Sequence, residues 1–249
     1  MSARVRRFFF MVSLGIWSFT SVHSASAFNA DIILSGKTLV QQQFEDFSEE
    51  VGLAVSYLPL APAEPLGILG FDIGAEVTAV NIKQDSSYWQ VIAPGVPSQL
   101  PLPKIHAQKG LPFGIDVGAV YSRVPNSNIE MAGGEIKWAL IKGNTLFPAI
   151  AARASYTRLL GVNNLELETV GADISISKGF LFITPYIGYG QVWIKSKIVD
   201  IPGLNLESNT TLPKPFIGVK ISPLPILNLV AEADISKITL YTLRVNIGF

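Results

Sequence analysis

The stretch 238-ITLYTLRVNIGF-249 sets Tyr241, Leu243, Val245, Ile247 and Phe249 on one side of an extended chain. Thr242, Arg244, Asn246 and Gly248 take the other side. Alternation with a period of two is the mark of a β-strand that has one apolar and one polar face. One such strand cannot hold itself together, so neighbours of the same period are expected elsewhere in the chain.

They recur toward the N-terminus. In residues 226–235 Leu227, Leu229, Ala231, Ala233 and Ile235 oppose Asn228, Glu232 and Asp234, and in 215–222 Ile217, Val219 and Ile221 oppose Gly218 and Lys220. Residues 170–176 bracket Asp173, 150–156 bracket Arg153, 134–140 carry Glu135 and Lys137, and 113–121 carry Asp116. Residues 71–79 place Phe71, Ile73, Ala75 and Val77 opposite Asp72, Gly74 and Glu76. Residues 51–57, VGLAVSY, read as the first strand, with Tyr57 on its apolar side. The run 180–194, FLFITPYIGYGQVWI, is apolar on both faces; its length suits a strand but its orientation cannot be assigned from pattern. Together these make ten strands. Ahead of them Leu39, Val40, Phe44 and Phe47 recur at helical spacing, so a short amphipathic helix is expected within residues 28–50.

Composition limits what such a chain can be. Apolar residues make up 49% and charged residues 15%, yet no apolar run approaches the roughly 20 residues of a spanning helix. Arg4, Arg6 and Arg7, an apolar stretch from Phe8 to Phe19 and the small residues Ala25 and Ala27 have the order of a secretory signal peptide over residues 1–27. Its removal leaves 16 Lys plus Arg against 19 Asp plus Glu, which excludes a basic nucleic-acid footprint. There is no cysteine, and hence no disulfide framework, thiolate metal site or lipid-modified cysteine.

Alternation alone fits a barrel in water as well as one in lipid, so the chemistry of the two faces has to choose. The polar face gathers Asp72, Glu76, Asp116, Lys137, Glu135, Arg153, Asp173, Lys220, Glu232, Asp234 and Arg244 among many small residues, which suits a crowded, hydrated lumen. A Lys or Arg on a lipid face at mid-depth costs roughly 2–4 kcal/mol, and the apolar face carries almost none. The fold class expected is therefore all-β: a closed, antiparallel, up-and-down transmembrane β-barrel. Closure pairs every strand edge, which hydrocarbon requires. The division is residues 1–27 as leader, 28–50 as a periplasmic or plug segment with the short helix, and 51–249 as barrel.

A terminal Phe249 with Ile247, Val245, Leu243 and Tyr241 before it at alternate places resembles the C-terminal signal of bacterial outer-membrane β-barrel proteins. Stretches such as PLAPAEPLG (residues 59–67) and KGLPFG (residues 109–114) also resemble a group of small proteobacterial barrels. The resemblance implies location in the outer membrane, contact with its lipid, and recognition by the barrel assembly machinery and periplasmic chaperones. It implies no activity. With the C-terminus in the periplasm, residues 159–164 and 195–211 count as extracellular, while the turns within 177–179 and 223–225 count as periplasmic. The same count sends the long, proline-containing segment 84–110 to the periplasm.

Enzymatic chemistry finds little support. Beyond the leader there is a single histidine, His106, in a proline-rich context with no Ser or acid at a supporting spacing, so it reads as a solvated loop residue and not as a catalytic base. Two lumenal acids could meet the spacing of a glycosidase pair, about 5–9.5 Å, but four bases beside them point to a charge network, with Glu76, Arg153, Asp173 and Arg244 as its expected members. No cofactor or metal is expected. Two functions stay open: a narrow, porin-like channel for cations or small polar solutes, or a non-conducting structural or adhesion barrel whose loops bind a partner.

Overall fold

The computed structural model describes residues 31–34 and 39–248; the expected leader and Phe249 lie outside them. Ten antiparallel strands form a closed barrel: β1 (Phe71–Asn81), β2 (Gln99–Gly110), β3 (Ile115–Arg123), β4 (Glu130–Ile141), β5 (Ala149–Leu159), β6 (Leu165–Ser177), β7 (Ile183–Ile198), β8 (Glu207–Leu224), β9 (Leu227–Ile235) and β10 (Thr239–Gly248). Each strand pairs with its sequence neighbours, and β1 pairs with β10 to shut the seam, Glu76 opposite Arg244 and Val77 opposite Leu243. Two α-helices, α1 (Gln41–Val55) and α2 (Ser87–Ile92), and one 3-10 turn at Pro112–Gly114 complete the described elements. No helix among the described residues is long and apolar enough to cross a membrane, which says nothing of strands.

The outer surface is apolar. Ile73, Ile105, Ile136, Ile174, Ile187, Ile217, Leu243 and Val245 are all exposed, while the alternate residues Glu76, Asp116, Lys137, Arg153, Glu232 and Arg244 are buried inside the wall. Toward one end Tyr121, Tyr156, Trp193 and Tyr241 stand on the outside. One step beyond the first three, charge begins: Arg123 pairs with Glu130 at 3.1 Å, and the Tyr156 hydroxyl donates to Glu168 at 2.9 Å. That end is called the loop end. It carries the connections 82–98, 124–129, 160–164, 199–206 and 236–238, and the opposite, turn end carries 111–114, 142–148, 178–182 and 225–226.

Two elements differ from the sequence reading. Residues 51–55 belong to α1 and not to a first strand. Phe44, Phe47, Val51 and Val55 share one helical face, and VGLAV, being apolar or small throughout, fits either period. Tyr57 consequently lies inside, 5% exposed, instead of facing lipid. In exchange, the segment expected as a long periplasmic link contains β2, and the rest of it, 84–98 with α2, lies at the loop end. Pro101 and Pro103 hid this strand. They fall where β2 pairs with β1 alone, since β3 pairs only with Lys104 to Gly110, and a strand edge tolerates the missing N–H. Residues 195–211 are likewise about half strand, because β7 stays paired with β6 out to Ile198 opposite Leu165 and β8 runs past β9, which leaves only 199–206 as loop.

The helix caps the loop-end mouth. Its apolar face packs on the inner side of β7, which is why that strand is apolar on both faces: Val192, Ile194 and Ile198 are buried against α1 while Ile187, Tyr189 and Trp193 face out. The contact is close enough that a Cβ on Gly52 would lie 2.4 Å from Ile194 Cγ2.

Candidate functional site: the occupied lumen

The chain leaving α1 decides what the barrel can do. Ser56 turns extended, its hydroxyl donating to the Leu53 carbonyl at 2.8 Å, and Pro59, Pro62 and Pro65 then bar any return to helix. Proline at every third place also removes the N–H groups a strand would offer to the wall. The segment therefore descends the lumen as a bent chain outside any ladder. Its remaining backbone groups must find side chains, because a buried backbone group left unpaired costs as much as a lost hydrogen bond.

The wall supplies those side chains in order. Near the loop end Lys214 Nζ bonds the Tyr57 carbonyl and reaches the Ser56 hydroxyl at 3.3 Å. At mid-height the Leu60 N–H donates to Glu232 Oε2 at 2.9 Å, and Arg244 Nη1 donates to the Leu60 carbonyl at 3.2 Å. Toward the turn end Lys137 Nζ donates to the carbonyls of Pro62 and Glu64 at 3.1 and 3.0 Å, and the Ala63 N–H meets Ser177 Oγ at 2.9 Å. The Leu66 N–H closes the descent on the Asp116 carboxylate at 3.1 Å. Leu60 has a positive φ of 47°, a strained conformation for a branched side chain, and it is held from both sides by Glu232 and Arg244.

These groups also pair among themselves. Glu76 Oε2 accepts from Arg244 Nε at 2.8 Å and lies 2.8 Å from Nη2 of the same guanidinium. Lys137 meets Asp116 at 2.9 Å. Arg153 lies 3.0 Å from Glu135 and 3.9 Å from Asp173, and Lys214 lies 3.7 Å from Asp234. Tyr186 donates its hydroxyl to Glu232 at 2.7 Å, lying across Gly218, where a Cβ would be 2.2 Å from its ring. Asp72 accepts from Asn246 and lies 3.6 Å from His106 Nδ1. Of the eleven charges read onto the lumen, Lys220 is the one near the turn end that is only half-buried, and Asp173 is also partly exposed.

Lys104, His106, Gln108 and Lys214 escaped the sequence reading. All four are buried in the lumen, so His106 is not the solvated loop residue expected. The signal was present in β2, where Leu100, Leu102, Lys104, His106 and Gln108 alternate with Pro101, Pro103, Ile105 and Ala107. Among the described residues no cluster of His, Asp and Glu has metal-binding geometry.

The mouth is latched as well. Glu50, wholly buried on α1, accepts from Tyr88 Oη at 2.9 Å, Trp89 Nε1 at 2.8 Å and the Lys83 N–H at 3.3 Å. Phe47 packs edge-on against Trp89 with ring centres 5.3 Å apart. Burial, which outweighs an opposing bond with Ser86 and is helped by the charge and hydrogen bond of Glu50, pushes the Tyr88 phenol up to about 12, so it remains a donor at ordinary pH. Lys237, in the 236–238 loop, meets Asp46 at 2.5 Å and also bonds Glu49; burial disfavours its charge, but the two carboxylates prevail and hold its pKa above the usual lysine value. At the edge of the mouth Asn128 ties down the chain ahead of α1, exchanging bonds with Ile32 at 3.0 and 2.9 Å.

A closed barrel with an even number of antiparallel strands, an apolar exterior and a charged interior meets the requirements of a membrane-spanning barrel. The fold is that of an outer-membrane β-barrel. No family model matches the chain, and no curated protein matches it. Among solved structures it is similar to the N-terminal β-barrel domain of Pseudomonas aeruginosa OprF, at 12% identity over 74% of this chain and 99% of that one, with a TM-score of 0.39. The KdgM porin in complex with disordered oligogalacturonate is 7% identical over 72% and 99%, with a TM-score of 0.39. Ail, the attachment invasion locus protein of Yersinia pestis, is 12% identical over 72% and 95%, with a TM-score of 0.32. These likenesses are too loose to carry a function to this chain.

Proposed function

We propose that the protein is an integral outer-membrane barrel that does not conduct, because its own N-terminal segment fills the lumen, and that it serves by what its loop end presents. One observation carries this reading: the backbone of residues 57–66 is bonded to Lys214, Glu232, Arg244, Lys137, Ser177 and Asp116 along the height of the wall. An eight-stranded barrel is just filled by side chains, and ten strands add about the room that one further extended chain occupies. The apolar exterior supports a barrel set in lipid. Longer connections at outer-membrane barrels face outward, so the loop end, with α1 and α2 across it, is read as extracellular and as the surface offered to a partner. Residues 31–34, hydrogen-bonded to that rim, would then lie at the cell surface although they precede the first strand.

Planar-bilayer recording on the folded full chain tests the reading. A silent bilayer, with the protein shown to be folded by its heat-dependent gel mobility, is the expected result. Discrete conductance steps with cation preference would restore the channel reading, since the lumenal charges would then line an open path.

A further inference from the structure

The turn end has a surface that a barrel rim in water has no reason to carry. Each of its connections holds large apolar side chains in the open: Phe113 at 85% exposure, Leu146 at 81%, Phe147 at 64% and Leu181 fully exposed, with Phe180 and Phe182 beside it. The strand order spaces these connections around the circumference, so the exposed groups form a ring and not a patch on one side. A second copy or a single protein partner would select one side of the rim. A bilayer plane meets all of it.

The height of the apolar band points the same way. On β7 the outward face from Trp193 to Ile183, apolar but for Gln191, covers about 25 Å of height at ordinary strand rise and tilt, the thickness such barrels present to lipid. On β3 the run from Tyr121 to Ile115, and on β6 the run from Val170 to Ile176, span only about 15 Å. The band reaches full height there only when the turns are counted in, Phe113 below β3 and Phe180 to Phe182 below β6.

Backbone accounting supports immersion, since polar groups near hydrocarbon must be satisfied internally. In 142–148 the Leu146 and Phe147 N–H groups donate to Asn144 Oδ1 at 2.8 and 2.9 Å, and the Asn144 N–H donates to the Phe147 carbonyl at 3.0 Å. Lys178 Nζ reaches across to the carbonyls of Asn144 and Thr145, both at 2.7 Å. In 178–182 Phe180 and Ile183 exchange both backbone bonds, at 2.7 and 2.9 Å. The charge of these turns is also one-sided. They hold Lys142 and Lys178 and no Asp or Glu, whereas the strand ends at the loop end mix both signs.

We infer that the turn-end rim is sunk in the adjoining leaflet, with Phe113, Phe147 and Leu181 at the hydrocarbon boundary and Lys142 at the acidic phosphates of its phospholipids. Apolar side chains flanked by lysine are the chemistry of interfacial anchoring. The inference rests on the membrane reading proposed above, and the test separates the two.

The chain lacks cysteine, so a single introduced thiol carries a unique label. Leu181→Cys and Phe147→Cys report on the rim, Ile174→Cys on the middle of the apolar band, and Asp85→Cys on the loop end. Each is labelled with a fluorophore and reconstituted in vesicles of phosphatidylcholine and phosphatidylglycerol. The expected result is that the rim labels, like Ile174, are quenched by brominated lipid and shielded from aqueous iodide, while Asp85 shows the reverse. Rim labels open to iodide would overturn the inference, and so would labels shielded from both reagents, which would mean protein cover. An Ile174 label open to iodide would instead overturn the membrane reading itself. Lys142→Gln is expected to reduce the preference for phosphatidylglycerol at the protein's lipid boundary roughly five-fold, the contribution of one basic residue near an anionic surface. An unchanged preference would remove the headgroup contact from the proposal.

Discussion

Arg244→Met is expected to lower the free energy of unfolding by about 3–5 kcal/mol, the usual consequence of removing one member of a buried pair. Its partner Glu76 has 2% of its side chain exposed and would keep an uncompensated charge inside the wall. The position magnifies the effect. Glu76 and Arg244 face each other across the β1 and β10 seam that closes the barrel, and the same guanidinium holds the Leu60 carbonyl at the strained point of the lumenal segment. Urea titration in lipid vesicles measures the change as a shift of midpoint. Arg244→Lys should recover part of the loss, because an ammonium can meet Glu76 but lacks the fork that also reaches Leu60. A wild-type midpoint for Arg244→Met would show that the seam pair contributes nothing.

The second large effect lies nearer the turn end. Lys137→Met should also cost about 3–5 kcal/mol, since Asp116 is then left charged with its side chain wholly buried. Replacing both residues, Asp116→Leu with Lys137→Met, should bring the barrel back near or above its original stability, as exchange of a buried ion pair for apolar groups often does. The lumenal segment should not recover with it. The Pro62 and Glu64 carbonyls and the Leu66 N–H lose their partners in the double variant, so protease cleavage within residues 62–67 should rise while the barrel stays intact. Losses that simply add in the double variant, or cleavage unchanged from wild type, would contradict the assignment of this pair to holding the segment.

How far the sequence could be read depends on which residues serve two neighbours at once. β6, β9 and β10 face lipid on one side and polar lumen on the other, and their alternation oriented them correctly. β7 could not be oriented because its inner face meets α1, so Val192 and Ile194 are as apolar as Tyr189 and Trp193 on the outside. Residues 51–55 were misread for the same reason: the last turns of α1 are buried all round and have no polar side to mark their period. β2 was lost to its prolines, and with it Lys104, His106 and Gln108. Lys214 was lost because β8 begins well before Pro215, at Glu207. The filling of the lumen was written most openly in Pro59, Pro62 and Pro65, where spacing excludes both helix and ladder, but which wall groups would meet that chain depended on register between distant strands.

The central claim is that the chain ahead of β1 runs down inside the barrel, with charged side chains turned toward it and apolar ones toward hydrocarbon. It is tested most directly by cross-linking Ala63→Cys to Ser177→Cys in the folded, membrane-embedded protein, positions joined by a 2.9 Å hydrogen bond in a chain that has no other thiol. Mild oxidation should convert nearly all molecules to the disulfide-closed form, seen as a shift in mobility that reductant reverses. Thiols that stay separate and are both modified by a bulky water-soluble maleimide would show the lumen empty of this segment and contradict the account.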